Sequence, residues 1–214
     1  IAVCRAVAAA VLNDSDAIEF VPTTGKTRFT ALASGEIDML ARNTTWTFSR
    51  DVDLKFEFVG VNYYDGQGFM AKADLGVSSA TELDGATVCI QTGTTTELNL
   101  ADFFRSNNMS YEAVPVETGS EAVTNYMAGA CDVFTTDRSA LAARRANMEN
   151  PNDHVVLPEI VSKEPLGPLV RHGDNNWGDV VRWTLNALIT AEELGVTAAN
   201  VAEMAKGTKI PEMN

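Results

Sequence analysis

The chain has 214 residues, 45% hydrophobic and 21% charged, a composition that buries cores and excludes a disordered polymer. Sixteen basic against 29 acidic residues leave a formal charge of −13 with no basic cluster, which argues against nucleic acid and anionic membrane as partners. No apolar run approaches the length of a membrane span.

Along the chain, Val3, Ala6, Val7, Ala10 and Val11 share one face of a helix over 3–12. That helix opens at residue 1 without a cap, which reads as an element cut from a longer chain. Ile18 to Val21 reads as a strand stopped by Pro22. A helix over 26–34 closes at Gly35, a residue suited to the left-handed position after a helix end. A strand over 37–40 then runs into Asn43-Thr44-Thr45-Trp46-Thr47-Phe48-Ser49-Arg50.

The next series alternates regularly: strand 87–91, helix 95–107, strand 111–116, helix 118–128, strand 132–135 and helix 137–149. A strand near 154–157 precedes a Pro/Gly-broken stretch from Pro158 to Gly173. The last clear element is a long helix over about 176–194 with an apolar stripe from Trp177 to Ile189. Such alternation predicts an α/β architecture with mainly parallel strands. Two segments read as crossings between lobes, Val59 to Ala71 and Lys163 to Arg171. The middle third is then a lobe inserted into a domain built from both ends, with ligands expected in the cleft at the strand ends.

Three motifs bear on chemistry. In the segment from Asn43 to Arg50, the arginine fork matches a carboxylate, and the nearby hydroxyls and carbonyls suit an ammonium group. Gly93-Thr94-Thr95-Thr96-Glu97 follows a strand and opens a helix, so its free amides form a seat for an anion or simply a capped turn. It lacks the lysine and glycine spacing of a phosphate loop. Thr135-Thr136-Asp137 ends a strand; Asp137 serves as a helix cap or, at the mouth of a cleft, as the partner of a ligand ammonium. Gly66-Gln67-Gly68 precedes a strand-like run instead of opening a helix, so it is not a dinucleotide fingerprint. His154 and His172 read as surface or packing residues, and no nucleophile–histidine pair is legible. Cys4, Cys89 and Cys131 lie outside metal-ligand spacing. Three free thiols and a Cys89–Cys131 bridge both fit them.

These residues, in this order, resemble the polar amino-acid substrate-binding proteins of bacterial ABC transporters, especially the general L-amino-acid-binding branch of solute-binding protein family 3. The resemblance rests on Ser34-Gly35-Glu36-Ile37-Asp38, on Arg42 to Thr47, on Gly60 to Phe69, and on Gln91 to Asn99. It continues through Cys131 to Asp137 and Ser162 to Pro168. It implies the two-lobe periplasmic-binding-protein fold of type II, with mostly parallel sheets flanked by helices. Lobe 1 would comprise 1–66 and 169–214, and the inserted lobe 2 would comprise 67–168. In such proteins a first strand precedes the helix at residue 1, and the chain continues past Asn214.

The resemblance further implies a periplasmic, monomeric, cofactor-free receptor that is not an enzyme. It would bind a free polar or acidic L-amino acid with broad preference and deliver it to a membrane permease. Arg50 would take the ligand carboxylate, with the Thr45 hydroxyl and the Thr95 amide beside it and Thr94 close by. Asp137 and the Asn43 carbonyl would hold the ammonium group. An oxidising compartment favours the Cys89–Cys131 disulfide. The alternative on the same fold is a periplasmic dehydratase of the cyclohexadienyl or arogenate type, which needs a general acid in the cleft.

Overall fold

The computed structural model describes residues 1–206. Its buried side chains fall into two groups, each organised by one sheet, so the chain folds as two lobes.

The larger sheet joins β3 (Gln67–Lys72), β4 (Ala86–Gln91), β5 (Tyr111–Val116), β6 (Val133–Asp137) and β7 (His154–Val156), in the order β5-β4-β6-β3-β7. Strands β5, β4 and β6 run parallel, as the alternation with helices predicts, and β3 runs antiparallel to both its neighbours. Successive residues of a strand face opposite sides. Phe69, Val88, Ile90 and Val133 therefore pack with Leu100 and Phe104 of α3 (Thr95–Ser106). Met70, Cys89 and Phe134 pack on the other side, with Tyr126 of α4 (Gly119–Met127) and Leu141 of α5 (Arg138–Ala146). The segment read as the first crossing thus supplies a buried interior strand, β3. Gly66 precedes this strand and Gln67-Gly68 open it, so the triplet starts no helix and is no dinucleotide fingerprint.

Cys89 and Cys131 are disulfide-bonded, with Cα atoms 5.6 Å apart. Cys4 is free and half-buried, and burial pushes its thiol upward. His154 is a packing residue: it is buried, and its Nδ1 lies 2.8 Å from the Tyr126 hydroxyl.

In the other lobe, β1 (Phe56–Phe58) pairs antiparallel with β9 (Leu169–Arg171). Leu32 of α2 (Arg28–Ser34), Leu40, Phe56, Phe58 and Leu169 form one cluster. Val7 of α1 (Ala2–Leu12), Val59, Val170 and Val181 of α6 (Asn175–Glu193) form another. A four-residue α7 (Val201–Met204) follows.

Two expected strands are absent here. Residues 18–21 join no ladder among the described residues, and 37–40 contribute only the bridge of Leu40 to Leu169. A strand exists only through a partner. Between these segments and α1 lies a cavity of about 530 Å³, lined by Val7, Ile18, Phe20 and Met39 and also by Glu36, Asp38 and Arg42.

A third pair, β2 (Tyr63–Asp65) with β8 (Glu164–Leu166), touches both lobes. Thr45 bridges Leu166 on one side, and the Arg138 amide donates to the Gly66 carbonyl on the other. This ribbon brings the Thr45 segment against the N-termini of α3 and α5.

Candidate functional site

Arg50 lies in a π-helical turn over Ser49–Asp53, an irregularity frequent at functional sites. The Thr47 hydroxyl accepts from its amide at 3.3 Å, and its Nη1 donates to the Thr45 carbonyl at 2.8 Å. Its guanidinium lies over the Phe29 ring at 5.1 Å, a cation–π contact that orients the fork. The side chain is 7% exposed, and burial holds its pKa below the usual arginine value, with Glu164 and Asp137 opposing that shift. Among the described residues no carboxylate forms an ion pair with it.

Thr94 and Thr95 start α3. The Thr94 hydroxyl accepts from the Glu97 amide at 3.3 Å and donates to the Gln91 carbonyl at 2.7 Å, so this side chain is committed to the cap. Gly93 makes the turn before it at φ 73°, a conformation that favours glycine. The Thr95 hydroxyl instead faces Thr45, with the two oxygens 3.3 Å apart.

Asp137 ends β6 and stands at the cap position of α5, yet its side chain makes no cap hydrogen bond. It accepts from Asn43 Nδ2 at 2.7 Å. Burial raises its pKa to about 6; the Asn43 hydrogen bond and Arg28 oppose the rise, and the Asp65 and Glu164 charges add to it. The Asn43 carbonyl accepts from Arg28 Nη1 at 3.1 Å. All six sequence-predicted ligand residues therefore gather at one interlobe seam, with Asn43, Thr45, Arg50, Thr95 and Asp137 facing it and Thr94 beneath it.

Two charged residues at this seam escaped the sequence reading. Arg28 is buried, lies 4.9 Å over the Phe29 ring, and donates to Thr44 Oγ1 at 3.2 Å and to the Gly93 carbonyl across the seam at 3.4 Å. Burial, then the Arg50 and Arg42 charges, pulls it down to about 9 against the pull of Asp137. A cation in the first turn of a helix opposes the helix dipole, a signal that another contact holds Arg28 there. Glu164 of β8 is 2% exposed and accepts from Thr45, from Thr95 Oγ1 at 3.0 Å, from Asn99 Nδ2 at 2.8 Å and from Ser162 Oγ at 2.6 Å. The aromatic residues of the predicted segments do not close over the seam as buried walls. Phe48 and Tyr64 are 76% and 80% exposed, and Trp46 stacks on Phe58 at 5.5 Å.

The sequence pattern of the bacterial extracellular solute-binding proteins, family 3, matches residues 1–199. The chain belongs to this family. It is 63% identical over 213 residues to the glutamate/glutamine/aspartate/asparagine-binding protein BztA of Rhodobacter capsulatus, covering 100% of this chain and 63% of the relative. It is 58% identical to the general L-amino acid-binding periplasmic protein AapJ of Rhizobium johnstonii, covering 94% of this chain and 59% of that protein. A solved ABC transporter periplasmic binding protein from Brucella ovis, with glutathione bound, superposes with a TM-score of 0.93 at 55% identity. That match covers 99% of this chain and 66% of the solved one. The chain thus spans about three fifths of the length of the family relatives it matches. Among the described residues no helix is long and apolar enough to cross a membrane.

Proposed function

We propose that this chain is the ligand-binding body of a periplasmic receptor that closes over a free L-amino acid, polar or acidic, and delivers it to an ABC transporter permease. The observation that carries this reading is a buried cation and a buried anion, Arg50 and Asp137, at one interlobe seam. Neither has an ion-pair partner within 4 Å among the described residues. Unpaired buried charges are destabilising unless something compensates them. A zwitterion offers a carboxylate to the Arg50 fork and an ammonium to Asp137, with the Thr45 and Thr95 hydroxyls, the Thr95 amide and the Asn43 carbonyl completing the shell.

The named ligands of the two curated relatives support the amino-acid class. In this reading 67–168 form the inserted lobe, 1–66 and 169–214 the other, and the ligand favours the closed state because only there do both lobes touch it. The protein acts as a monomer without a cofactor and catalyses nothing.

The test is a thermal-shift screen against the twenty L-amino acids, followed by calorimetry on the hits. Ligand that binds only the folded state raises the unfolding midpoint by mass action. Polar and acidic amino acids are expected to shift it, and Arg50→Ala to abolish the shift while the fold persists. Undiminished binding by Arg50→Ala would sink the carboxylate assignment.

A further inference from the structure

Resting on the receptor reading, we infer that Glu164 is an internal stand-in for the ligand carboxylate. It latches the two lobes together through Thr45 and Thr95 and must yield those hydroxyls before an amino acid can use them.

The argument begins with hydrogen counting. A threonine hydroxyl has one proton to donate. Thr45 and Thr95 are both within hydrogen-bonding distance of the same oxygen, Glu164 Oε2, and stand 3.3 Å from each other. Spent there, neither proton is available to a ligand carboxylate. The other oxygen, Oε1, takes Asn99 and Ser162, which fixes the carboxylate from the α3 side and from its own strand. Glu164 is thus a buried anion with four donors: Thr45 stands beside it on the backbone ladder that also joins the Trp46 amide to the Pro165 carbonyl, while Thr95 and Asn99 reach it from α3.

The opposite end of the seam is arranged the same way. Asn43 Nδ2 donates to Asp137 Oδ2, where a ligand ammonium would donate. Arg28 meanwhile reaches across to the Gly93 carbonyl. The closed seam therefore occupies the Thr45, Thr95 and Asn43 donors itself, while Arg28 Nε stays buried without a partner among the described residues. Amino-acid binding becomes an exchange of partners at those positions. The Glu164 charge also acts on Arg50, drawing on the positive potential that a ligand carboxylate would otherwise meet in full.

Only the fraction of molecules that has released the latch can bind, and the apparent dissociation constant rises by the reciprocal of that fraction. Removing the Glu164 charge must therefore tighten binding, the opposite of what loss of a supporting residue would do.

The experiment measures calorimetric affinity for L-glutamate and L-glutamine in the wild-type chain, in Glu164→Gln and in Asn99→Ala. Charged hydrogen bonds being the strong ones, Glu164→Gln is expected to bind about tenfold tighter. Asn99→Ala, which removes one donor from the latch, is expected to tighten binding about threefold. Small-angle scattering supplies the second readout: the unliganded Glu164→Gln protein should be more open than wild type and should compact more on ligand addition. If Glu164→Gln does not fold, Asn99→Ala and the scattering of the wild-type chain decide the matter. Wild-type binding with unchanged or weaker affinity in the variants overturns the latch and leaves the receptor reading standing. Binding by none of the three proteins overturns both.

Discussion

At the scale of single residues, Asp137 carries the clearest pH signature. Its carboxyl titrates near 6, mainly because it is buried. The sign follows from that upward shift: the unliganded fold takes up a proton more readily than the unfolded chain. The associated stability is fully present below about pH 4 and is lost as pH rises through about 6. At neutral pH the ionised group is thus a burden on the unliganded fold. Asp137→Asn is expected to stabilise the unliganded protein at pH 7.5 by about 1–3 kcal/mol, measured by urea unfolding. The same substitution should weaken α-amino acids far more than the matching carboxylic acids that lack the amine. Wild-type affinity should be level between about pH 7 and 8 and fall roughly tenfold per unit below about 6, a dependence absent from Asp137→Asn. An Asp137→Asn protein that is less stable without ligand, or that loses both ligand classes equally, would mark Asp137 as structural.

Arg50 and Asp137 were legible in the sequence because each follows an apolar run with hydroxyl residues beside it. Glu164 was not, since it lies in a Pro/Gly-broken stretch whose partners, Thr45 and Thr95, are far away in sequence.

At the scale of elements, the Cys89–Cys131 bridge ties the interior strand β4 to the residues just before β6, across a separation of 42 residues. Closing a loop of that length restricts the unfolded chain by about 4 kcal/mol in the entropic model, and typical measured gains are about 2–4 kcal/mol. Replacing both cysteines by serine should lower the unfolding free energy by that amount. Calorimetric titration on the folded variant should give a nearly unchanged affinity, because both cysteines pack in the core of α4 and α5, away from the seam. An unaltered urea midpoint would mean that the reduced chain is already confined.

The same lobe shows why some elements could be read from sequence. Strands β4, β5 and β6 alternate with their helices, so their apolar runs locate the strands within two residues, while the helix expected to reach 149 ends at Ala146. The pairs β1–β9 and β2–β8 have three residues a strand and join segments about a hundred residues apart. Nothing local marks them. The failed strand at 18–21 is the converse case: its composition suits a strand, but its environment supplies no ladder.

At the scale of the whole molecule, closure requires two backbones to meet. Gly25 sits against the turn before α3, where a Cβ at Gly25 would lie 2.6 Å from the Thr92 carbonyl oxygen and 3.2 Å from the Thr94 methyl. A carbonyl oxygen in a tight turn cannot swing aside as a flexible side chain can, so one lobe must back away. Gly25 is outside the left-handed region, and alanine there adds no strain while the lobes are apart. Gly25→Ala should therefore open the unliganded seam and leave the chain's stability within about 1 kcal/mol of wild type, reduced unfolded-state entropy offsetting part of the clash. It should shift the lobes toward the open state and weaken amino-acid binding by up to about tenfold. The full factor follows where a clash of about 1.4 kcal/mol falls on the liganded form alone, and less where the unliganded seam shares it. Calorimetry gives the affinity and small-angle scattering the missing compaction. If Gly25→Ala binds as tightly as wild type, the seam does not have to close to this distance to hold its ligand. The shell built from Thr45, Arg50, Thr95 and Asp137 would then have to work with the lobes further apart.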